Sequence, residues 1–215
     1  MKTSEQKKIN ENVELRSFDF EVMAQQDEER GSYLEGTPIV YDSWTDLGWY
    51  DERIADGALA DTDLKDVRFL VNHNTDMIPL ARSRNNNENS TMQMIVEEGV
   101  GMHIRVNLDT ENNAEARALY SAVQRGDISG MSFMFLVDND TWDDVKTDHP
   151  KRTIRSLKKV MEVSAVTFPA YNQTSISTRG LDGALDSAKL SLAKVRAEKE
   201  AIEIKKQKIR ILANS

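Results

Sequence analysis

Residues 126–138 read G-D-I-S-G-M-S-F-M-F-L-V-D, and the apolar run inside this stretch decides the fold class. The segment from Ile128 to Leu136 is short, rich in apolar residues and bounded by polar residues, which predicts a β-strand buried on both faces. Ser132 lies in the middle of this run. An unpaired buried hydroxyl costs about 1–3 kcal/mol, so Ser132 either bonds a nearby carbonyl group or serves as a nucleophile.

Further strands are predicted on both sides of this stretch. Alternating apolar residues predict one strand over 13–24, irregular near Ser17, and another over 32–42, interrupted by Gly36. Four more are predicted at 67–72, 91–96, 100–108 and 153–168, with a polar loop over 138–152. A helix over 112–124 is predicted to end at Gly126, because glycine favours the C-terminal cap. The chain is therefore expected to be mainly β, mostly antiparallel, with one or two helices.

The C-terminal segment has a different composition. Apolar or small residues recur every three or four positions from Leu181 to Ile209, interrupted by Lys199 and Lys206, which predicts one long helix. Residues 182–215 hold eight basic and five acidic residues, a net charge of +3, which leaves −11 for residues 1–181. The helix either packs on the preceding part of the chain or on a second copy of the protein, or it binds a scaffold protein. We expect a flexible N-terminus (1–12), a domain (13–178) and a helical tail (181–215).

Composition and missing motifs exclude several classes of function. The chain has no cysteine, which rules out disulfides, thiolate metal sites and a cysteine nucleophile. It lacks paired histidines at ligand spacing and the glycine-rich nucleotide motifs, so no metal and no cofactor are expected. The net charge of −8 argues against nucleic acid as a partner, and no apolar run is long enough to span a membrane. The N-terminus has no secretory signal, so an intracellular soluble protein is expected.

Two further residues are unusual in their surroundings. Of the three histidines, His103 and His149 lie among polar neighbours, whereas His73 directly follows an apolar strand, where a general base is rigidly supported. Glu162 interrupts the apolar stretch K-V-M-E-V-S-A-V (159–166). A buried carboxylate needs a partner, and an edge strand would let it meet Arg155 or Lys158.

The three unusual residues explain one another if they meet. Alternation places Glu162 on the same strand face as Val160 and Ser164. If Glu162 accepts a hydrogen bond from His73, and His73 accepts one from Ser132, every one of the three has a partner. That arrangement is a nucleophile, a general base and an orienting acid.

Five stretches resemble a known family. They are E-G-T-P-I-V-Y (35–41), I-A-D-G-A-L (54–59), L-V-N-H-N-T-D-M-I-P-L-A-R (70–82), G-D-I-S-G-M-S-F-M-F (126–135) and M-E-V-S-A-V-T-F-P-A-Y (161–171). Their order and spacing are similar to those of the prohead serine proteases of tailed bacteriophages, which mature the capsid and look related in fold to herpesvirus assemblin. The resemblance implies an α+β fold: a closed antiparallel β-barrel of assemblin type, with peripheral helices and the long C-terminal helix.

The resemblance also implies a site and partners. It carries the nucleophile onto Ser132, the base onto His73 and the acid onto Glu162, with an oxyanion donor from a backbone N–H or an arginine in 152–155. Asn74 stands where many relatives have aspartate, and Ala81 where glycine is common. The implied substrates are the scaffold, the extension of the major capsid protein and the protease itself. The implied location is the immature prohead in the host cytoplasm, with the protease as a homodimer.

The C-terminal helix is expected to target the protease into the prohead, with self-cleavage after Thr178–Gly180. The main alternative is a capsid assembly or scaffolding factor that keeps the fold without activity, which the long tail favours. An unrelated β-barrel binding module would explain none of the three unusual residues.

Overall fold

The computed structural model describes residues 13–18, 22–28, 31–167 and 181–213, and these form eleven strands and two helices. The strands are β1 (Val13–Phe18), β2 (Met23–Asp27), β3 (Gly31–Val40), β4 (Thr45–Asp46), β5 (Asp51–Ile54), β6 (Arg68–Val71), β7 (Ala81–Arg82), β8 (Met92–Glu97), β9 (Gly101–Asn107), β10 (Gly130–Asp143) and β11 (Lys151–Val166). The helices are α1 (Ala114–Gln124) and α2 (Leu181–Ala213). The predicted segment 1–12, the domain end at 168–178 and residues 214–215 lie outside the described residues.

A long antiparallel hairpin of β10 and β11 forms the middle of the larger sheet. The strand order is β1-β10-β11-β5-β4, and β6 pairs with both β11 and β7. With 16 residues, β11 is long enough to pair in parallel with β5 near its start and with β6 near its end. The predicted apolar strand forms the first half of β10, which then continues through polar residues to Asp143.

A second sheet has the order β2-β3-β9-β8. The mainly β, mostly antiparallel fold with helices is therefore confirmed, but the closed barrel of assemblin type is not supported. In the described residues neither sheet closes on itself, because β1 ends one edge of the larger sheet and β4 and β7 end others. The pairing of β11 with β5 and β6 is parallel, which alternation within single strands does not reveal.

Two local predictions are corrected by the strand pairing. The strand predicted over 13–24 is two strands, because β1 pairs with β10 in the larger sheet and β2 pairs with β3 in the smaller. The predicted polar loop over 138–152 is shorter, because cross-strand pairs extend the hairpin out to Asp143 and Lys151. Asn139, Thr141 and Asp143 are exposed, and the outer face of a sheet tolerates such polar residues.

One apolar core draws its side chains from both sheets and from α1. Asn113 begins this helix, since its side chain accepts the backbone N–H of Glu115 at 2.9 Å and of Ala116 at 3.3 Å. Gly126, with φ of 79°, follows the last turn as predicted. The buried core members include Leu34, Ile39, Met102, Ile104, Val106, Ala116, Leu119, Val123, Met131, Phe133, Phe135, Val163 and Ala165.

Helix α2 is continuous over its predicted length, and only its first half packs on the domain. Ala188 and Leu192 are buried against Tyr50, Trp142 and Val145. Beyond this contact, the side chains of residues 197–212 are all exposed. Within the described part of the chain, no helix combines the length and the apolar character needed to cross a membrane.

Beneath the start of α2 lies a buried group of charges, here called the ionic cluster: Glu14, Arg16, Glu52, Asp140 and Arg152. Arg152, which is 1% exposed, lies 2.7 Å from Glu14, 3.0 Å from Glu52 and 2.6 Å from Asp140. Arg16 pairs with Glu14 at 2.6 Å and also with Glu52. Burial alone would raise the pKa of Glu14, but the two guanidinium groups outweigh it and lower that pKa below its ordinary value of 4.5.

Two serines of α2 complete the hydrogen bonding of this cluster. Ser187 donates to Glu14 at 3.0 Å, and Ser191 lies 2.9 Å from each carboxylate oxygen of Asp140. The indole Nε1 of Trp142 donates to the Ser191 hydroxyl at 3.0 Å. The helix is therefore fixed to the sheet by polar contacts to buried charges as well as by its apolar residues. No pattern in the sequence predicted this cluster.

Candidate active site

His73 lies just beyond β6 on a backbone of unusual conformation. Asn72 and His73 have φ of 51° and 55°, in the left-handed region that is costly for residues other than glycine. The backbone N–H of Asn72 donates to the carbonyl of Ala165 at 2.9 Å. Its side chain accepts the N–H of Thr167 at 2.9 Å and donates to the Thr167 hydroxyl at 3.0 Å. These bonds fix the turn to the end of β11, and so fix the direction of the His73 side chain.

The imidazole of His73 is hydrogen-bonded to the carboxylate of Glu162. Nδ1 lies 2.6 Å from Oε1, and the two side chains are 19% and 5% exposed. Because an ionised carboxylate only accepts, Nδ1 carries a proton, and in the neutral imidazole Nε2 is then the acceptor. Nε2 is buried and has no hydrogen-bond partner among the residues that the structure describes. Glu162 thus meets His73, and not Arg155 or Lys158, which were the partners expected on an edge strand.

A β-bulge in β11 sets the direction of the Glu162 side chain. The successive residues Met134 and Phe135 of β10 pair with Glu162 and Val160, so Met161 is an extra residue in the ladder. Cross-strand partners share a sheet face and successive residues alternate, so Glu162 and Val160 point to opposite faces. The prediction that they share a face is therefore wrong. Val160 joins the apolar core, and Glu162 lies on the face that His73 covers.

Ser132 is fully buried in β10 and is the cross-strand partner of Ser164 in β11. Directly paired residues have Cβ atoms about 5 Å apart, so Ser132 lies beside Ser164, which is two residues after Glu162 in β11. Its hydroxyl donates to the backbone carbonyl of Arg16 at 2.7 Å. The structure therefore brings Ser132 onto the same face as Glu162, while its proton is held by a strand carbonyl rather than by Nε2 of His73.

One residue of the site was not assigned any role from the sequence. The hydroxyl of Ser164 contacts both the carboxylate of Glu162 and the backbone N–H of His73. Alternation had already placed Ser164 on the face of Glu162, so the signal was present. What the sequence lacked was the position of His73, which comes from a different strand.

The other candidate groups lie elsewhere or have other partners. His103 is half-buried beside the Thr37 hydroxyl, with Nδ1 at 3.5 Å, and His149 pairs with Asp51 at 3.0 Å. Asp46, Asp51 and His149 lie close together in the described chain, but Asp46 is 68% exposed and the group is an ordinary surface ion pair. Arg152, one of the arginines in 152–155 that were considered beside a backbone N–H as the oxyanion donor, belongs to the ionic cluster and is separated from Glu162 by ten residues of strand, roughly 33 Å.

Comparison with known proteins gives relatives among phage capsid proteases. The chain is 28% identical over 118 residues to the prohead protease of Enterobacteria phage HK97, a match that covers 54% of this chain and 47% of that protein. The chain thus spans about half the length of this curated relative. Among solved structures, the capsid assembly protease of bacteriophage T4 aligns with a TM-score of 0.39 and 16% identity, over 71% of this chain and 98% of that one.

A family model covers most of the molecule. It is described as caudovirus prohead serine protease, and it matches residues 18–186. The matched range contains β2 to β11, α1 and all three residues of the candidate site. Since it takes in well over half of the 215 residues, the chain belongs to the caudovirus prohead serine protease family.

Proposed function

We propose that the protein is a serine endopeptidase with Ser132 as nucleophile, His73 as general base and Glu162 as the acid that orients His73. The observation that carries this proposal is the imidazole of His73, bonded through Nδ1 to Glu162 and holding a buried, unpartnered Nε2 within the described structure. Such an atom is costly in a protein that does not use it. A general base needs an acceptor nitrogen of this kind.

In the proposed mechanism, Nε2 of His73 takes the proton of Ser132 as the hydroxyl attacks the scissile carbonyl group. The carboxylate of Glu162 stabilises the imidazolium that forms, and His73 then delivers the proton to the leaving amine. Water hydrolyses the resulting acyl-enzyme, with His73 again as the base. Ser132 is fully buried and donates to the Arg16 carbonyl, so this conformation is a resting one. For attack, the hydroxyl must turn from Arg16 toward Nε2 of His73 and become accessible to the substrate.

The family supports the choice of substrates. We infer that the protease acts inside the immature prohead, in the host cell cytoplasm, on the scaffold, on the extension of the major capsid protein and on itself. The reaction as written needs no metal and no cofactor. We also infer that the enzyme works as a homodimer.

We infer that the distal part of α2 directs the protease to the assembling prohead. Residues 197–212 are exposed, and the run 204–213 holds Lys205, Lys206, Lys208 and Arg210 without an acidic residue. The apolar residues Ile202 and Ile209 are 53% and 57% exposed beside these charges. A basic segment with exposed apolar side chains fits an acidic surface with an apolar groove on a capsid or scaffold protein.

Ending the chain after Ala197 tests this role. Residues 198–212, which the truncation removes, are exposed, so the melting temperature should stay within about 2 °C of the full chain, while the protease is lost from purified proheads. The measurement is the amount of protease in proheads assembled by co-expression, together with thermal unfolding. Truncated protease that enters proheads as efficiently as the full chain would remove the targeting role.

The catalytic assignment is tested by co-expression with the candidate capsid and scaffold proteins. His73→Ala is expected to leave both uncleaved on gels, because the proposed mechanism then has no base to accept the Ser132 proton. Glu162→Gln should slow cleavage by about 10⁴-fold, since an amide no longer selects the tautomer with a free Nε2. His103→Ala is the matched control and should cleave as wild type.

Two outcomes contradict the proposal. Wild-type cleavage by His73→Ala would remove the base, and wild-type cleavage by Glu162→Gln would remove Glu162 from the triad. Wild-type protein that enters proheads without cleaving anything would instead favour the inactive assembly factor, the alternative that the long helix suggests.

A further inference from the structure

The Ser164 hydroxyl contacts both the acid and the base of the proposed site. Its Oγ lies 2.9 Å from Oε2 of Glu162 and 3.1 Å from the backbone nitrogen of His73. A hydroxyl has one proton and two acceptor lone pairs, so Ser164 donates to the carboxylate and accepts the N–H of His73. The residue is fully buried. Both hydrogen bonds therefore form away from bulk solvent, where they are stronger than at the surface.

The bond to Ser164 fixes the orientation of the Glu162 carboxylate. A carboxylate with a single partner rotates and presents either oxygen to it. Here Oε2 is held by Ser164 and Oε1 accepts from Nδ1 of His73 at 2.6 Å. The Ser164 Oγ lies 3.3 Å from Oε1, so its closer contact is with Oε2, and the plane of the imidazole is set by the plane of the carboxylate.

The bond from the His73 N–H fixes the backbone beneath the imidazole. With φ of 55°, His73 has a left-handed conformation that is costly for residues other than glycine unless the surroundings hold it. Ser164 supplies the acceptor for this N–H, and no water is needed to pair it. One side chain thus constrains the base at its backbone and, through Glu162, at its ring.

We propose that Ser164 is a positioning residue: it holds Glu162 and His73 in a single geometry that presents Nε2 toward Ser132, its cross-strand neighbour. The proposal rests on the proposed function for the role of Nε2. The hydrogen bonds that connect Ser164, Glu162 and His73 are a property of the fold. It goes beyond the nucleophile, base and acid by adding a fourth buried group on which their alignment depends.

The direct test is proton NMR of protein labelled with ¹⁵N-histidine. The hydrogen bond between Nδ1 and Glu162 gives a low-field proton resonance for His73, which His73→Ala identifies by its absence. Ser164→Ala should shift or broaden this resonance, because the carboxylate is then free to rotate. The rate at which a fluorophosphonate probe labels Ser132 should fall by about 10- to 100-fold in the same variant.

Ser83→Ala is a matched control for the loss of a buried hydroxyl. Ser83 is fully buried, accepts the backbone N–H of Val67 at 2.9 Å and donates to the carbonyl of Leu64 at 2.9 Å. Its replacement removes the same kinds of bond at the far end of β6. We expect Ser83→Ala to lower the melting temperature by about as much as Ser164→Ala, and to leave the His73 resonance and the labelling rate unchanged.

A second pair of variants serves if Ser164→Ala does not fold. Threonine and valine have the same shape, so Ser164→Thr and Ser164→Val differ only in the hydroxyl. The threonine variant should keep the low-field resonance and the valine variant should lose it. Equal spectra for the two, or an unchanged resonance in Ser164→Ala, overturn the proposal. Wild-type protein that shows the resonance but cleaves nothing in the co-expression assay contradicts the proposed function, and the spectra then decide the role of Ser164 alone.

Discussion

Replacing Ser132 by alanine is expected to abolish cleavage of the capsid and scaffold proteins in the co-expression assay. Without the Oγ atom no acyl-enzyme forms, and the rate falls by about 10⁶-fold when a serine nucleophile is removed. The fold should survive, because the lost bond to the Arg16 carbonyl is a single neutral hydrogen bond worth about 1 kcal/mol. Gel analysis of the co-expressed proteins, combined with thermal unfolding of the variant, separates loss of chemistry from loss of structure.

Ser129→Ala provides the control in the same stretch of sequence. Ser129 lies three residues before Ser132, and it is exposed. Its backbone carbonyl accepts the N–H of Val22, a bond that alanine keeps. Cleavage by this variant should equal that of wild type. If Ser132→Ala still cleaves and Ser164→Ala does not, the nucleophile is Ser164, and both the assignment of Ser132 and the positioning role of Ser164 are wrong.

Replacing Arg152 by methionine is expected to give the largest loss of stability, about 3–5 kcal/mol. Methionine has a similar length but no charge, so the buried Glu14 and Glu52 and the partly buried Asp140 each lose a partner at 3.0 Å or less. Removing one member of a buried ion pair costs more than the pair contributes, because the remaining charge is left uncompensated. Urea unfolding of wild type and variant at neutral pH gives the difference directly.

The pH dependence of this difference identifies its electrostatic origin. The folded-state pKa of Glu14 is lowered below 4.5, so its contribution is present above that value and is lost as the pH falls toward the folded-state pKa. The difference in unfolding free energy between wild type and Arg152→Met should therefore become smaller below pH 4.5. Arg125→Met is the control: its ion pair with Asp127 is exposed and should cost less than about 1 kcal/mol. A difference in unfolding free energy that does not change with pH would show that packing alone accounts for the lost stability.

The three candidate residues were found from the sequence because each is unusual in its own surroundings. An interrupted apolar strand marks Ser132 and Glu162, and a strand end marks His73, so local patterns were enough to select them. The long C-terminal helix and the end of α1 at Gly126 were also visible, since helical periodicity and glycine caps are local signals.

Other features depend on which strands pair, and single-strand alternation contains no such information. The bulge at Met161 reversed the expected face of Val160, and it is visible only in the register of β10 with β11. The closed barrel was expected from the family resemblance. In the structure the long strand β11 instead pairs with β5 near its start and with β6 near its end. The charges of the ionic cluster come from β1, β5, β10 and β11, so no sequence window contains them.

Contacts of Arg16 connect the strand that holds Ser132 with helix α2, which affects how deletions in the tail are interpreted. The Arg16 carbonyl accepts the proton of Ser132, and the Arg16 side chain bonds Glu14, which in turn accepts from Ser187 of α2. A deletion that begins before Ser187 therefore changes the surroundings of the strand that holds Ser132 as well as removing the tail. If Ser132 is the nucleophile and the distal helix directs the protease to the prohead, as proposed, such a deletion affects both delivery and turnover, whereas deletions confined to residues 198–212 affect delivery alone.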